Sequence, residues 1–322
     1  MKKPLSAAFT TLICLTAGLV HAASASTDKA LTIIVPTTPG TGSDIAARLL
    51  APRLSKELGR NIVVENKTGA SGTIGIREVA RAPADGNTVL FVPNTMAMIS
   101  SLFTKLDWDP VQDFMPVAQV GKMIVSAVVN PNVLARNLNE LIALTKKEPG
   151  KFNYASPGVG TPHHLRAEQF KQISGAELVH VPYSGSAGAV TDLVGGQVQV
   201  GFFPLHSILP MSSTGRLRIL ATSGDTSSKW TPDVPTFSQS GINGINDYDW
   251  VGVFYPKGTP QAAVDRLSQA LMNLLALPEV QEELAGRGII ANPGTPKQMA
   301  DLLAKELKEW KQVVETANIS AD

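Results

Sequence analysis

Four short runs of glycine and hydroxyl residues are the part of this sequence best suited to chemistry. They lie at 38–44, 69–73, 156–161 and 184–188. The residues that stand out in them are Thr38, Gly40, Thr41, Ser43 and Asp44; Ala70; Ser156, Gly158, Gly160 and Thr161; and Ser184 and Gly185. Each run follows a strand-like segment and precedes a segment of helical apolar spacing. A loop so placed faces its surroundings with free backbone N–H groups and the positive end of a helix dipole, which suits an anion. None of the four runs contains Arg or Lys. An anion held there would be gripped by N–H and hydroxyl donors, and by bridging water, rather than by an arginine clamp.

Sharper motifs fail on inspection. Gly40-Thr41-Gly42 lacks the third glycine of a dinucleotide fingerprint, and no Lys-Ser/Thr pair follows as a phosphate loop requires. His163 and His164 are adjacent, so on a helix they point to different sides and cannot share a metal as an i, i+4 pair does. His163 reads instead as a donor at a helix start. Ser156 with His163 or His180 suggests a hydrolase, but Ser156 lies in Ala-Ser-Pro-Gly rather than Gly-x-Ser-x-Gly. No acid is clearly placed to orient the base. Asp44 reads as a helix cap, and Tyr183 and Trp250 as cleft walls or core. No cofactor and no metal is expected.

The elements that must position these loops alternate. Leu31-Thr32-Ile33-Ile34-Val35 is a β-branched run, followed by the first loop and a helix with Ile45, Leu49, Leu50 and Leu54 on one face. Strands at 61–65 and 88–92 follow, with a helix between them. The grammar returns after residue 150, with strands at 152–155, 177–181, 198–203 and 217–221. Thr161 is a good N-cap there, and Pro162 a good first helical residue. Residues 122–130 read as one apolar strand between the halves, with a counterpart at 250–256. Two helices, at 260–277 and 296–314, close the chain. Strands alternating with single helices imply βαβ units and parallel pairing. The architecture expected is α/β: two lobes, each with a parallel or mixed sheet, joined by two crossing strands. Lobe one would hold 26–124 and 252–322, and lobe two 125–251. No Gly/Ser-rich or Pro-rich linker separates them, which points to a hinge built of strands.

Composition narrows the function. The 322 residues allow one large domain or two of ordinary size, and 43% hydrophobic with 17% charged residues is a composition that folds. Twenty-eight basic against 27 acidic residues give a net charge of +1, so no global field exists to neutralise a nucleic acid. A single cysteine rules out a disulfide framework and cysteine-rich metal centres. Residues 1–25 have the three parts of a secretory signal: Lys2 and Lys3, an apolar stretch at 5–20, and small residues at Val20-His21-Ala22 and Ala23-Ser24-Ala25. The apolar stretch is short of the 20 or so residues a membrane span needs. Its removal would take two lysines and the only cysteine, leaving 26 basic and 27 acidic residues. The mature chain is therefore expected to be exported.

Taken in order, the motifs resemble the Bug family, the substrate-binding proteins of tripartite tricarboxylate transporters. They are Val35-Pro36 with Pro39-Gly40 and Ser43-Asp44-Ile45-Ala46-Ala47-Arg48; Val64-Glu65-Asn66-Lys67-Thr68-Gly69-Ala70-Ser71-Gly72; and Ala82-Pro83-Ala84-Asp85-Gly86. Then come Pro149-Gly150-Lys151-Phe152-Asn153-Tyr154-Ala155-Ser156, His180-Val181-Pro182-Tyr183, Asp192-Leu193, Pro256-Lys257-Gly258-Thr259-Pro260 and Ala317-Asn318-Ile319. The resemblance covers residues 28 to 319. It implies a two-lobed periplasmic binding protein fold of the type with two crossing strands. It implies no catalysis, and a monomer that closes on a small organic carboxylate and docks on integral-membrane transporter subunits. It implies that the first loop, from Thr37 to Asp44, holds one carboxylate partly through water. Asn94 and Thr95, Ser156 to His163, and Ser184-Gly185 would complete the site, with Tyr183 beside it. Four positions depart from the family pattern. Thr37 stands where an aromatic residue is frequent, Thr41 where a second glycine is frequent, and Gln199 and Phe203 where acids are common. With Phe203 in place of an acid, an apolar or aromatic mono- or dicarboxylate is expected over an amino acid. Two other readings share the sequence: a ligand-presenting sensor for a membrane kinase, and an exported hydrolase using Ser156.

Overall fold

The computed structural model describes residues 29–103, 105–245 and 248–320; the expected signal segment lies outside them. The chain begins with β1 (Leu31–Val35), α1 (Gly42–Leu58), β2 (Ile62–Asn66), α2 (Thr73–Ala80), β3 (Thr88–Pro93) and α3 (Thr95–Leu102). β1 pairs in parallel with β2 on one side and with β3 on the other. Its run of β-branched residues has no polar face because both faces are covered. Ile33 and Val35 pack on one side of the sheet with Leu50 and Leu54 of α1, and Ile34 on the other with Ile76 of α2.

β4 (Phe114–Met123) belongs to this first sheet, and β5 (Val125–Val129) to a second. The apolar run at 122–130 is therefore two strands, not one. Only Ile124 stands between them, and its carbonyl continues the second ladder by accepting the Leu205 N–H at 2.8 Å. A run buried on both sides in both sheets gives no periodic sign of such a break.

The second sheet is completed by β6 (Asn153–Ser156), β7 (Val179–Pro182), β8 (Val200–Pro204) and β9 (Arg218–Thr222). Between them run α4 (Leu138–Lys147), α5 (Pro162–Ser174), α6 (Ser186–Gly195) and α7 (Leu205–Ser213). The chain returns to the first sheet with β10 (Asp249–Pro256) and ends in α8 (Gln261–Leu275), α9 (Pro278–Ala285), β11 (Ile290–Gly294) and α10 (Pro296–Ala317). The sheet orders are β11-β4-β10-β3-β1-β2 and β7-β6-β8-β5-β9, mixed in both cases because β10 and β5 run antiparallel to their neighbours.

Register decides which ends of the sheets meet. In the first sheet Met123 lies opposite Asp249, and Val251 opposite Pro93, the last residue of β3. In the second, Val125 lies opposite Pro204, the last residue of β8, while Ser156 lies opposite Pro182. The carboxyl ends of the parallel strands in both sheets thus converge on the crossover at Ile124, where ligands bind in open α/β sheets. α10 packs on both α3 and α5, and the Gln172 side chain of α5 donates to the Val313 carbonyl of α10 at 2.9 Å. Among the described residues no helix is long and apolar enough to cross a membrane.

Candidate functional site

The first and third glycine loops are built alike. Gly40 and Gly160 both take left-handed backbone, with φ of +84° and +74°. The next residue, Thr41 or Thr161, is the extended N-cap of α1 or α5. Its hydroxyl does not cap the helix. It turns back and donates to the carbonyl three residues earlier: Thr41 to Thr38 at 2.9 Å, Thr161 to Gly158 at 2.8 Å. The glycine N–H is taken by the side chain of the third helical residue. Gly40 donates to Asp44 Oδ2 at 2.8 Å, and Gly160 to His164 Nδ1 at 3.0 Å. This is a capping box shifted outward by one residue. It leaves the first-turn amides of both helices without a side-chain cap. Those amides and the helix dipole are what each loop offers an anion.

Asp44 is therefore not the cap expected from its position. Its carboxylate also accepts from Arg48 Nε and from Asn66 Nδ2, each at 2.9 Å. Burial by itself would push that carboxyl up; the Gly40 N–H, then Asn66 and Arg48, outweigh it and hold it below its ordinary value of 3.8. The hydroxyls of Thr37, Thr41 and Ser43 form a chain, with Thr37 Oγ1 2.6 Å from Thr41 and 3.0 Å from Ser43. Because Thr41 gives its proton to Thr38, Thr37 donates to Thr41, and Ser43 to Thr37. Next to this loop, Gly69, Ala70, Ser71 and Gly72 have φ of 120°, 45°, 57° and 103°. Two non-glycine residues in left-handed backbone in succession store strain. Gly72 comes so close to β1 that a Cβ would lie 3.2 Å from the Pro36 carbonyl oxygen.

In the second sheet, Tyr154 and His180 stand opposite each other on β6 and β7, with rings 4.8 Å apart. His164 from α5 lies flat on His180, 3.9 Å away with planes 7° apart. Tyr154 donates to Glu168 at 2.6 Å, and Lys171 pairs with the same oxygen at 2.8 Å. Burial lowers both histidines. His164 reaches about 4, with the His180 and Lys171 charges adding to the effect and Glu168 opposing it. Ser156 Oγ sits 2.6 Å from His180 Nε2, donates to the Gly158 carbonyl at 2.9 Å and accepts the Gly158 N–H at 3.2 Å.

The remaining candidates fall into two groups. Thr95 is half-buried at the start of α3, while Ser184 is exposed and Gly185 precedes α6 beside it. Four others point elsewhere or lie inside. Asn94 is buried and donates from Nδ2 to Asp249 at 3.0 Å. The Tyr183 hydroxyl donates to Asp192 at 2.8 Å, and burial and that carboxylate push it up to about 12. Phe203 is 1% exposed, its ring 5.0 Å from that of His163. His163 Nδ1 is buried without a hydrogen-bond partner, so it is not a donor at the helix start; burial takes it down to about 4, against the pull of Asp249. Trp250 is core.

Three features escaped the sequence reading. Arg166 is 2% exposed and meets Asp249 at 3.2 Å and the Trp310 ring at 4.8 Å, tying α5 to β10 and α10. Gly160 lies so close to α3 that a Cβ would come 2.9 Å from Leu102 Cδ1. The third is the likeness of the two loops. The repeated Gly-Thr pair, with a polar acceptor four residues after the glycine, was the available signal.

The chain is similar over most of its length to known proteins. Residues 46–319 match the model of the tripartite tricarboxylate transporter family receptor. Protein BugT of Bordetella pertussis is 34% identical over 303 residues, 93% of each chain. A solved R. palustris protein, Rpa4515 with adipate, superposes with a TM-score of 0.82 at 29% identity, covering 92% of this chain and 99% of that one. MatC from Rhodopseudomonas palustris with bound malate has a TM-score of 0.78 at 29% identity, covering 89% and 99%.

Proposed function

This chain belongs to the tripartite tricarboxylate transporter receptor family, whose members are periplasmic binding proteins, and from that premise we propose which solute it takes and how. It is a solute-binding protein, as its relatives are, and not an enzyme. The solute is a small organic mono- or dicarboxylate that lies between the loop from Thr37 to Asp44 and the loop from Ser156 to His163. Thr95, Ala70 and Ser184-Gly185 flank it. The observation that carries this reading is the twin loop: two helix starts with uncapped amides, one on each sheet, at strand ends that converge on Ile124. A two-ended anion gains from both at once, and its differential affinity for the closed arrangement draws the two lobes together.

Phe203 lies inside rather than on the site, and with no acid at that position an amino group lacks a carboxylate partner there, which supports apolar and aromatic acids over amino acids. The signal segment directs the chain to the periplasm, where the loaded monomer docks on integral-membrane transporter subunits.

A thermal-shift screen tests the reading. At a hundredfold excess over Kd, a solute adds about 2.7 kcal/mol. For a chain of this size that raises Tm by about 5 °C, at roughly 2 °C per kcal/mol. Adipate, malate or benzoate should give such a shift. Tight binding of aspartate or glutamate with no response to the other three acids overturns the proposal.

A further inference from the structure

The two loops share a backbone design but not a chemistry. In the first, a carboxylate takes the inward glycine amide; in the second, an imidazole does. An imidazole accepts at Nδ1 only while that nitrogen carries no proton, so the Gly160 bond exists only for neutral His164 with its proton on Nε2. Ser156 gives its proton to the Gly158 carbonyl, so the contact with His180 is a bond donated by His180 Nε2. Two positive rings stacked at 3.9 Å repel, which favours at most one charge on the pair. The charged and titratable groups packed around it are Glu168 and Lys171 of α5 and Tyr154 of β6.

We propose that His164 and His180 are positioning residues for solute capture: a stacked neutral pair that turns the Gly160 amide and the Ser156 hydroxyl inward and so fixes the direction in which the second loop's remaining donors point. The inference rests on reading 156–161 as a solute loop. It makes that loop the acid-sensitive half of the site. A proton on His164 Nδ1 faces the Gly160 N–H head-on and releases the loop, whereas the first loop's Gly40 is held by a carboxylate that Asn66 and Arg48 keep below its ordinary value. Burial, which lowers His164 to about 4, sets where this happens.

The test uses isotope-labelled whole chain and three proteins: wild type, H164N and H164L. The asparagine oxygen accepts at the Nδ1 position and does not titrate; leucine does neither. NMR follows the His164 ring and the exchange protection of the Gly160 amide from pH 7 downward. The expected result at pH 7 is protection in wild type and H164N, and at least tenfold less in H164L. In acid, wild type loses protection as the His164 ring takes up its proton, and H164N keeps it. Binding of malate, adipate and benzoate, measured on the same samples, should be about tenfold weaker in H164L, the equivalent of one hydrogen bond. H164N should bind like wild type. Equal Gly160 protection in all three proteins, a wild-type His164 ring titrating at its ordinary 6.5, or undiminished binding by H164L overturns the proposal. The ring titration needs no variant, so it decides even if H164L does not fold. If none of the three acids binds wild type, the solute-loop reading fails, while the ring and amide measurements still decide whether the pair positions the loop.

Discussion

Gly160→Ala probes the contact between the second loop and α3. At φ +74° an alanine pays about 1 kcal/mol for left-handed backbone. The new Cβ would also lie 2.9 Å from Leu102 Cδ1 and 3.5 Å from Cδ2. Leu102 is 2% exposed and cannot swing into water, so the overlap costs about 1–3 kcal/mol more. The total is about 2–4 kcal/mol. Gly150→Ala is the control: its φ is +78° and nothing lies within 4 Å of the added carbon, so only the backbone cost of about 1 kcal/mol remains. Leu102→Ala removes the obstructing atoms. In a double-mutant cycle it should return about 1–2 kcal/mol of the Gly160→Ala loss. Urea unfolding followed by circular dichroism gives all four free energies. If Gly160→Ala and Gly150→Ala cost the same and Leu102→Ala shows no coupling, the loop and α3 do not press together in solution. The placement of the second loop against the first lobe then fails.

Three further outcomes follow from the geometry. Asp44→Ala removes the acceptor of three hydrogen bonds whose donors can rehydrate, and should cost about 2–3 kcal/mol in urea unfolding. Because the folded carboxyl is held below 3.8, that difference from wild type should be constant above about pH 4 and shrink on further acidification; a gap that grows in acid contradicts the assignment. Arg166→Ala should cost about 3 kcal/mol or more, since among the described residues it leaves the largely buried Asp249 side chain with Asn94 as its hydrogen-bond partner, and adding Asp249→Asn should recover part of the loss. His163 and His164 stay neutral in the fold down to about 4 while unfolded imidazoles protonate near 6.5. Thermal stability should therefore decline as pH falls from 6.5 toward 4, and a flat profile across that window argues against their burial.

Where local pattern decides, the sequence was readable. The run at 31–35 is β1 with the same bounds, and Thr161-Pro162 does begin α5. The two-sheet α/β class followed from the alternation. What local pattern could not settle was which neighbour a residue would meet. Asp44 sits where caps sit, yet its partners Asn66 and Gly40 depend on β2 pairing with β1 and on the turn of the loop. The adjacency of His163 and His164 argues correctly against an i, i+4 metal pair. It hides that His164 stacks on His180, a contact created only when β6 and β7 pair. α3, α4, α7, α9 and β11 were not foreseen. α3 is apolar nearly all round, with five of its eight residues buried, and such a segment lacks the stripe that marks a surface helix.

The passage from one sheet to the other through Ile124 has a thermodynamic consequence. The described part of the return path is tied down as well. Thr222 donates to the Pro235 carbonyl at 3.1 Å and Phe237 to the Thr222 carbonyl at 3.0 Å, so it is stitched onto the second sheet. Ordering a flexible connection costs about 1–2 kcal/mol of backbone entropy per residue. A joint one residue long leaves little of that cost to be met when a solute arrives. Under the proposed function, the span of the bound acid would then set the angle between the sheets. Under that function the protein would act as a gauge, in which solute length is converted into a shape that a membrane partner reads from outside.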